Sequence, residues 1–206
     1  MIIVKEAASR PVESPALEGM FEARKKVFVD LLKWDLPVLN GRFEADQFDD
    51  IHARYLIVAD NYGTHLGSAR LLSTVRPHIL DSLFPDLCAG PVPSGPDVHE
   101  ITRFCLGRDQ TAAQRRATRN HLVSALVSDA LARGVTTYTG VAELSWLQQI
   151  LAFGWRCRPL GLPRRTDSGT LGALAIEIDG DTPSLLAANG IWTEQTQSGS
   201  PLLEAA

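Results

Sequence analysis

The sequence predicts a mixed β-sheet covered by helices, an α/β (α+β) arrangement. Strand-like and helix-like segments alternate unevenly along the chain. Two strand-like runs are joined by a turn too short for a crossover helix. No internal repeat or low-complexity tract is visible. A regular doubly wound fold would alternate strictly, so a mixed sheet fits better.

The first strand is the β-branched run "MIIVKE". "SPALEGMFEARKKVFVDLLKW" follows, with apolar residues at Leu17, Met20, Phe21, Val27, Phe28, Leu31 and Leu32. That spacing predicts one long helix over 14–34, with Ser14 as N-cap and Pro15 in the first turn. Residues 35–50 contain Pro37, Asn40 and Gly41 and read as an irregular loop. "ARYLIVAD" and "NYGTHLGSARLLST" read as a hairpin turning at 61–63. "HILDSLFPDL" reads as a short helix, "AGPVPSGP" as a connector and "DVHEITRFCLG" as a strand. A long helix follows over about 112–133, stopped by Gly134. "VTTYTGVA" is a strand, "LSWLQQILAFG" a short amphipathic helix and "TLGALAIEID" a last strong strand. The whole chain, 1–206, reads as a single domain whose polar tail from about 194 is poorly ordered.

At 206 residues with 45% hydrophobic and 21% charged residues, the chain can bury a core without disulfides or a structural metal. A net charge of -4 argues against a nucleic-acid binder. Cys88, Cys105 and Cys157 lie far apart, no zinc spacing is present, and no metal site is expected. The N-terminus lacks a signal-peptide pattern and no run of about 18 apolar residues suggests a membrane span. A cytoplasmic protein with no membrane partner is expected.

Charge enters strongly apolar sequence at four places: Arg24 with Phe28 and Trp34; Asp46 and Asp49 within "FEADQFDD"; Arg70 within "GSARLLST"; and Glu100 with Arg103 within "HEITRF". Charges in such settings are rarely buried unless paired. Taken singly, each is better explained by a structural ion pair or a solvated strand face. Three arginines and three carboxylates can also balance one another in a shared cleft.

Read together, Arg24, Phe28 and Trp34, then "E.DQFD", "G.ARLL.T", the phenylalanine of "LFPDL" and "EITRF" form an array that resembles the N-acyl-homoserine-lactone synthases. These are the autoinducer synthases of bacterial quorum sensing. The resemblance runs from about residue 20 to 106 and on to "FGWRCRPLG". The family's characteristic positions are Arg24, Phe28, Trp34, Asp46, Asp49, Arg70, Phe84, Glu100 and Arg103. Thr102 stands where the family often has serine. The resemblance implies a three-layer αβα sandwich with a splayed mixed sheet, related to the N-acetyltransferases. It also implies a reaction in which the amine of S-adenosylmethionine attacks an acyl thioester, usually on acyl carrier protein. The methionine carboxylate then closes a lactone and releases methylthioadenosine. S-adenosylmethionine is a substrate, and no cofactor is implied.

That chemistry assigns roles to the residues. Phe28 and Trp34 offer rings to a sulfonium or an adenine, and Phe84 and Arg103 join the expected binding set. Arg24 either holds the substrate carboxylate or braces an acid. Asp46 and Asp49 form an acidic lip for a doubly cationic substrate, anchored by Phe43 and Phe48. Glu100 is either the general base, through a water, or an electrostatic anchor for the ammonium, with Arg103 orienting it. Arg24, Asp46, Asp49, Arg70, Glu100 and Arg103 make up the expected catalytic set. Cys105 reads as a small core residue.

Leu72, Thr102, Phe104, Val141, Leu144, Trp146 and Leu147 are the expected walls of an acyl-chain pocket, although core packing explains them equally well. Arg108, Arg115, Arg116 and Arg119 offer a basic surface either to solvent or to an acidic acyl carrier protein. The absence of a glycine-rich phosphate loop favours a carrier protein over acyl-coenzyme A. Two rivals are an N-acetyltransferase-like enzyme acylating another amine, and an inactive ligand-binding relative. The intact acidic and aromatic array counts against both.

Overall fold

The computed structural model describes residues 1–6, 14–166 and 169–194; the expected tail after 194 lies outside them. β1 (Ile2–Glu6) is followed by α1 (Pro15–Arg24), whose Ser14 hydroxyl accepts the amide of Leu17. α1 buries Leu17, Met20, Phe21 and Arg24, one stripe of a 3.6-residue period. The predicted helix does not continue as such. Lys25–Leu31 widens into a π-helix, where the amide of Leu32 reaches back five residues to Val27. Leu31 and Leu32, expected on the buried stripe, are consequently exposed, and Phe28 is the residue that the wide turn buries.

The expected loop contains a small hairpin, β2 (Val38–Leu39) with β3 (Phe43–Glu44). Asn40 and Gly41 both take left-handed backbone angles in its turn, the conformation these two residue types tolerate best. β4 (Arg54–Ala59) and β5 (His65–Ser73) form the predicted antiparallel pair. α2 (Ile79–Leu83), a short 3₁₀ turn, β6 (Val98–Leu106) and α3 (Ala112–Arg133) follow. α3 is capped by Thr111 and closed by Gly134 at φ 70°. β7 (Thr137–Glu143), α4 (Leu144–Leu151) and β10 (Gly169–Glu177) match the reading above. Two short strands, β8 (Cys157–Pro159) and β9 (Arg164–Thr166), and a last helix, α5 (Thr182–Ala188), lie in stretches to which the sequence reading assigned no element. Three-residue strands carry too little period to be seen in sequence.

The large sheet runs β1-β4-β5-β6-β7-β10-β8, with β9 alongside β10. All its described pairings are antiparallel except β6 with β7, the strands that α3 connects. That parallel ladder has only three partners, ending at Glu100 and Thr139, after which the strands part and the sheet splays. At the fork, an added Cβ on Gly140 would come 3.2 Å from the carbonyl oxygen of Ile101. One face of the sheet carries α3, α4 and α5 over an apolar cluster including Leu56, Leu71, Leu122, Leu126, Leu147 and Leu186. The other face carries α1 and α2 over Leu17, Phe21, Phe43, Phe48, Tyr55 and Ile79. The result is the three-layer αβα sandwich.

Candidate active site

Strand alternation puts Tyr55, Arg70 and Thr102 in one cross-strand row on the α1 face: Tyr55 pairs with Arg70, and Arg70 with Thr102. Arg103, the next residue on β6, should point to the opposite face. It does not, because the ladder shifts between Ser68 and Arg70 and Arg103 takes a left-handed φ of 49°. This bulge returns Arg103 to the α1 face and sends Phe104 into the apolar core.

Six charges then close a ring of alternating sign. Arg24 donates through Nε to Glu44 at 2.6 Å and through both terminal nitrogens to Asp49 at 2.8 Å. Asp49 also meets Arg70 Nη1 at 2.8 Å. Arg70 donates to Asp46 at 2.6 and 3.1 Å, and Arg103 Nη2 donates to Asp46 at 2.6 Å. Arg103 returns to Glu44 through Nε and Nη2 at 3.1–3.2 Å. Tyr55 donates its hydroxyl to Asp49 at 2.9 Å, and Thr102 accepts Arg70 Nε at 2.9 Å. Three guanidinium groups and three carboxylates make the ring neutral, and neutrality is what permits its burial. Burial opposes the charge on Arg24 and Asp49, but their pairing outweighs it. The Arg24 pKa is raised, and the Asp49 carboxyl is held well below the usual carboxylate range.

This arrangement corrects the acidic lip. Asp46 and Asp49 are buried partners of arginines and offer no open negative edge to a cation. "FEADQFDD" instead folds on itself, with the amide of Asp46 donating to Asp49 and that of Phe48 to Asp46. Phe43 and Phe48 are buried beneath it. Glu44, a fully buried member of the ring, is the residue that the sequence reading passed over. Its signal was present in "FEADQF", a carboxylate next to Phe43 and four residues before Phe48, both of them buried.

Arg103 does not orient Glu100. Glu100 is fully buried on β6, and its two oxygens accept the amides of Ile79 and Leu80 at the start of α2, at 2.8 and 3.0 Å. Burial pushes its pKa up to about 7, against the pull of those amides and of Arg70. Arg103 belongs to the ring, and its guanidinium lies 5.7 Å from the Phe28 ring centre. Phe28 is stacked on Trp34, centres 5.1 Å apart and planes 18° apart. Phe84 ends α2 and packs against the clusters beneath that helix.

The expected acyl-pocket residues are divided between the faces of the sheet. Phe104, Trp146 and Leu147 pack together on the α3 face, with Phe104 and Trp146 ring centres 5.3 Å apart. Leu72 joins the cluster under α1, Val141 the one under α2, and Thr102 serves Arg70. Leu144 is half-buried at the start of α4. Of the basic surface, Arg108, Arg115 and Arg116 are exposed, with Arg115 donating to the carbonyls of Leu106 and Gly107. Arg119 is drawn inward, over the Phe153 ring at 5.0 Å and onto Asn120. Among the described residues no cluster of metal-ligating side chains is present and no helix is long and apolar enough to cross a membrane.

The sequence profile of a family described as autoinducer synthase matches residues 10–185. An acyl-homoserine-lactone synthase of Ralstonia nicotianae is 35% identical over 173 residues, covering 81% of this chain and 84% of its own. The crystal structure of TofI in a ternary complex with an inhibitor and MTA superposes with a TM-score of 0.75 at 32% identity, over 90% of this chain and 96% of that one. BjaI, described as a CoA-dependent acyl-homoserine lactone synthase and solved with SAM and isopentyl-CoA, gives a TM-score of 0.81 at 28% identity, over 95% and 93%. A crystal structure from Lactobacillus plantarum, described only by its assignment to the N-acetyltransferases, shares the fold at a TM-score of 0.59 and 18% identity, over 87% of this chain and 98% of that one. With the profile spanning most of the chain and the fold matching throughout, the chain belongs to the autoinducer synthase family and is an acyltransferase of that family.

Proposed function

We propose that the protein transfers an acyl group from acyl carrier protein to the amine of S-adenosylmethionine, then closes the homoserine lactone with release of methylthioadenosine. The observation that carries this reading is Arg103, held by the ring beside the Phe28–Trp34 stack. Of its three guanidinium nitrogens, Nε and Nη2 are bonded to Glu44 and Asp46, and Nη1, which has no hydrogen-bond partner among the described residues, is left for a ligand carboxylate. The stacked rings suit a sulfonium or an adenine, an attraction of about 0.5–2 kcal/mol for a cation. Glu100 takes the amine proton, through a water; a carboxylate titrating near 7 is matched to that task at neutral pH. Lactone closure needs proximity and no enzyme nucleophile, because a sulfonium is already a good leaving group.

The acyl chain passes the fork between β6 and β7 toward Phe104, Trp146 and Leu147. The exposed Arg108, Arg115 and Arg116 support an acidic carrier protein as donor. At the start of α3 the Thr111 hydroxyl accepts the amide of Gln114, and the Gln114 side chain accepts that of Thr111, so those two amides are not open to a phosphate. An acyl-CoA donor is the second reading, favoured by the likeness to BjaI. Three free cysteines suit the reducing cytoplasm.

Mass spectrometry of reactions containing the purified chain, S-adenosylmethionine and a panel of acyl thioesters tests the proposal. A homoserine-lactone fragment with methylthioadenosine is expected, and faster turnover from carrier-protein thioesters than from the matching coenzyme A thioesters. Methylthioadenosine absent from every reaction would reject the activity.

A further inference from the structure

We propose that Glu44 is a positioning residue for Arg103 and thereby sets how tightly the site holds the substrate carboxylate. The proposal rests on the reading that Arg103 contacts S-adenosylmethionine. Glu44 is fully buried, and both its side-chain oxygens are taken up by arginines. Oε2 accepts Arg24 Nε at 2.6 Å, while Oε1 accepts Arg103 Nε and Nη2, both at 3.1 Å. A carboxylate gripping Nε and one terminal nitrogen fixes the plane of a guanidinium and leaves the other terminal nitrogen pointing away from it.

The need for such a grip is written into β6. Arg103 sits at the bulge with a left-handed backbone, where local geometry alone gives a long side chain little direction. It is also the least buried arginine of the ring, with 10% of its side chain exposed against 1% for Arg24 and 0% for Arg70. Arg24 and Arg70 are locked on all sides; Arg103 has Phe28 on one flank and otherwise depends on Glu44 and Asp46. The β2–β3 hairpin delivers Glu44 to this point, with Phe43 buried beside it.

Charge separates positioning from mere balance. Glu44→Gln leaves three arginines facing two carboxylates, and adding Arg103→Gln restores neutrality at two against two. The dissociation constant of S-adenosylmethionine is measured by calorimetry, with melting temperature and KM for each substrate, in the parent, both single variants and the double variant. Glu44→Gln is expected to weaken S-adenosylmethionine binding about tenfold or more, with the KM for the acyl thioester within about twofold of the parent's. The double variant is expected to recover melting temperature relative to Glu44→Gln while binding no better than Arg103→Gln alone, the non-additivity of a residue acting through its neighbour.

Binding restored together with melting temperature in the double variant would reduce Glu44 to charge balance and overturn the proposal. So would unchanged binding in Glu44→Gln, or losses that multiply in the double variant. Should Glu44→Gln not fold, Glu44→Asp keeps the charge and withdraws the carboxylate by one methylene. Weaker binding is again expected, and parent-like binding would overturn the proposal. The binding measurements need no turnover, so a parent that binds S-adenosylmethionine without releasing methylthioadenosine strikes the proposed activity and leaves the Glu44 result standing.

Discussion

The two faces of strands β4, β5 and β6 are built from alternate residues of the same segments, yet they are held together by different physics. On the α3 face, Leu56, Val58, Ala69 and Leu71 pack against Leu122 and Leu126, and the Arg54–Asp129 ion pair stands apart from them at the first residue of β4. On the α1 face, Tyr55, Arg70, Thr102 and Arg103 belong to a ring of six buried charges and its hydrogen-bonded neighbours. The first face is limited by volume, because a deleted methylene leaves a cavity. The second is limited by charge count, because removing one member leaves an opposite charge buried without compensation.

The largest effect should come from breaking each face in its own terms. Arg24→Met is expected to cost about 3–5 kcal/mol and Leu122→Ala about 2–5 kcal/mol, both read from urea unfolding. Calorimetry should separate them: binding of S-adenosylmethionine is expected to vanish in Arg24→Met and survive in Leu122→Ala. An Arg24→Met protein as stable as the parent would show that the ring is not a unit.

Glu100 sharpens the comparison, because it is a fully buried carboxyl on the α1 face that lies outside the ring. Its folded pKa of about 7 is raised above the ordinary 4.5, so its contribution to stability is fully present below about pH 4.5 and is lost as pH rises through 7. That amounts to about 3 kcal/mol at 1.36 kcal/mol per unit. Asp49 behaves in the opposite sense: its pKa is depressed, and its contribution is lost as pH falls below the ordinary carboxylate range. Glu100→Gln should remove the loss between pH 4.5 and 7 from melting curves, and should lower turnover by about 100-fold or more. Full turnover in that variant would take Glu100 out of the mechanism.

The smallest effect is expected where neither limit applies. Arg115→Glu with Arg116→Glu lies on the exposed start of α3, and its change in stability should stay within about 0.5 kcal/mol. The KM for a carrier-protein thioester should rise several-fold, the more so at low ionic strength, with that for S-adenosylmethionine unchanged. Equal KM values for parent and variant would return this patch to solvent.

Much of this was legible in the sequence. The apolar stripe of α1, the hairpin of β4 and β5, the long α3 and the final strand follow from period and cap residues alone. So do the residue types of the site, since an arginine within "SARLL" or a glutamate within "HEITRF" needs a buried partner. The partners themselves were not legible. Arg24 meets Asp49 across 25 residues, and Arg103 meets Glu44 across 59; no local rule chooses among carboxylates at such separations. For the same reason Asp46 and Asp49 read as free acids. The π-helix after Arg24 was hidden because an apolar residue at every third or fourth position fits either helix until the exposure of Leu31 and Leu32 is known.

The bulge at Arg103 has a consequence for how this chain tolerates insertion and deletion. In a strand with strict alternation, losing one residue after Thr102 would carry Arg103 to the face where Phe104 now lies, and put a guanidinium among Ile101, Trp146 and Phe153. The extra residue is therefore the device that lets a single strand serve an ionic layer and an oily one at consecutive positions. Natural variation in this strand should change side chains freely at its ends and leave its length between Glu100 and Cys105 untouched.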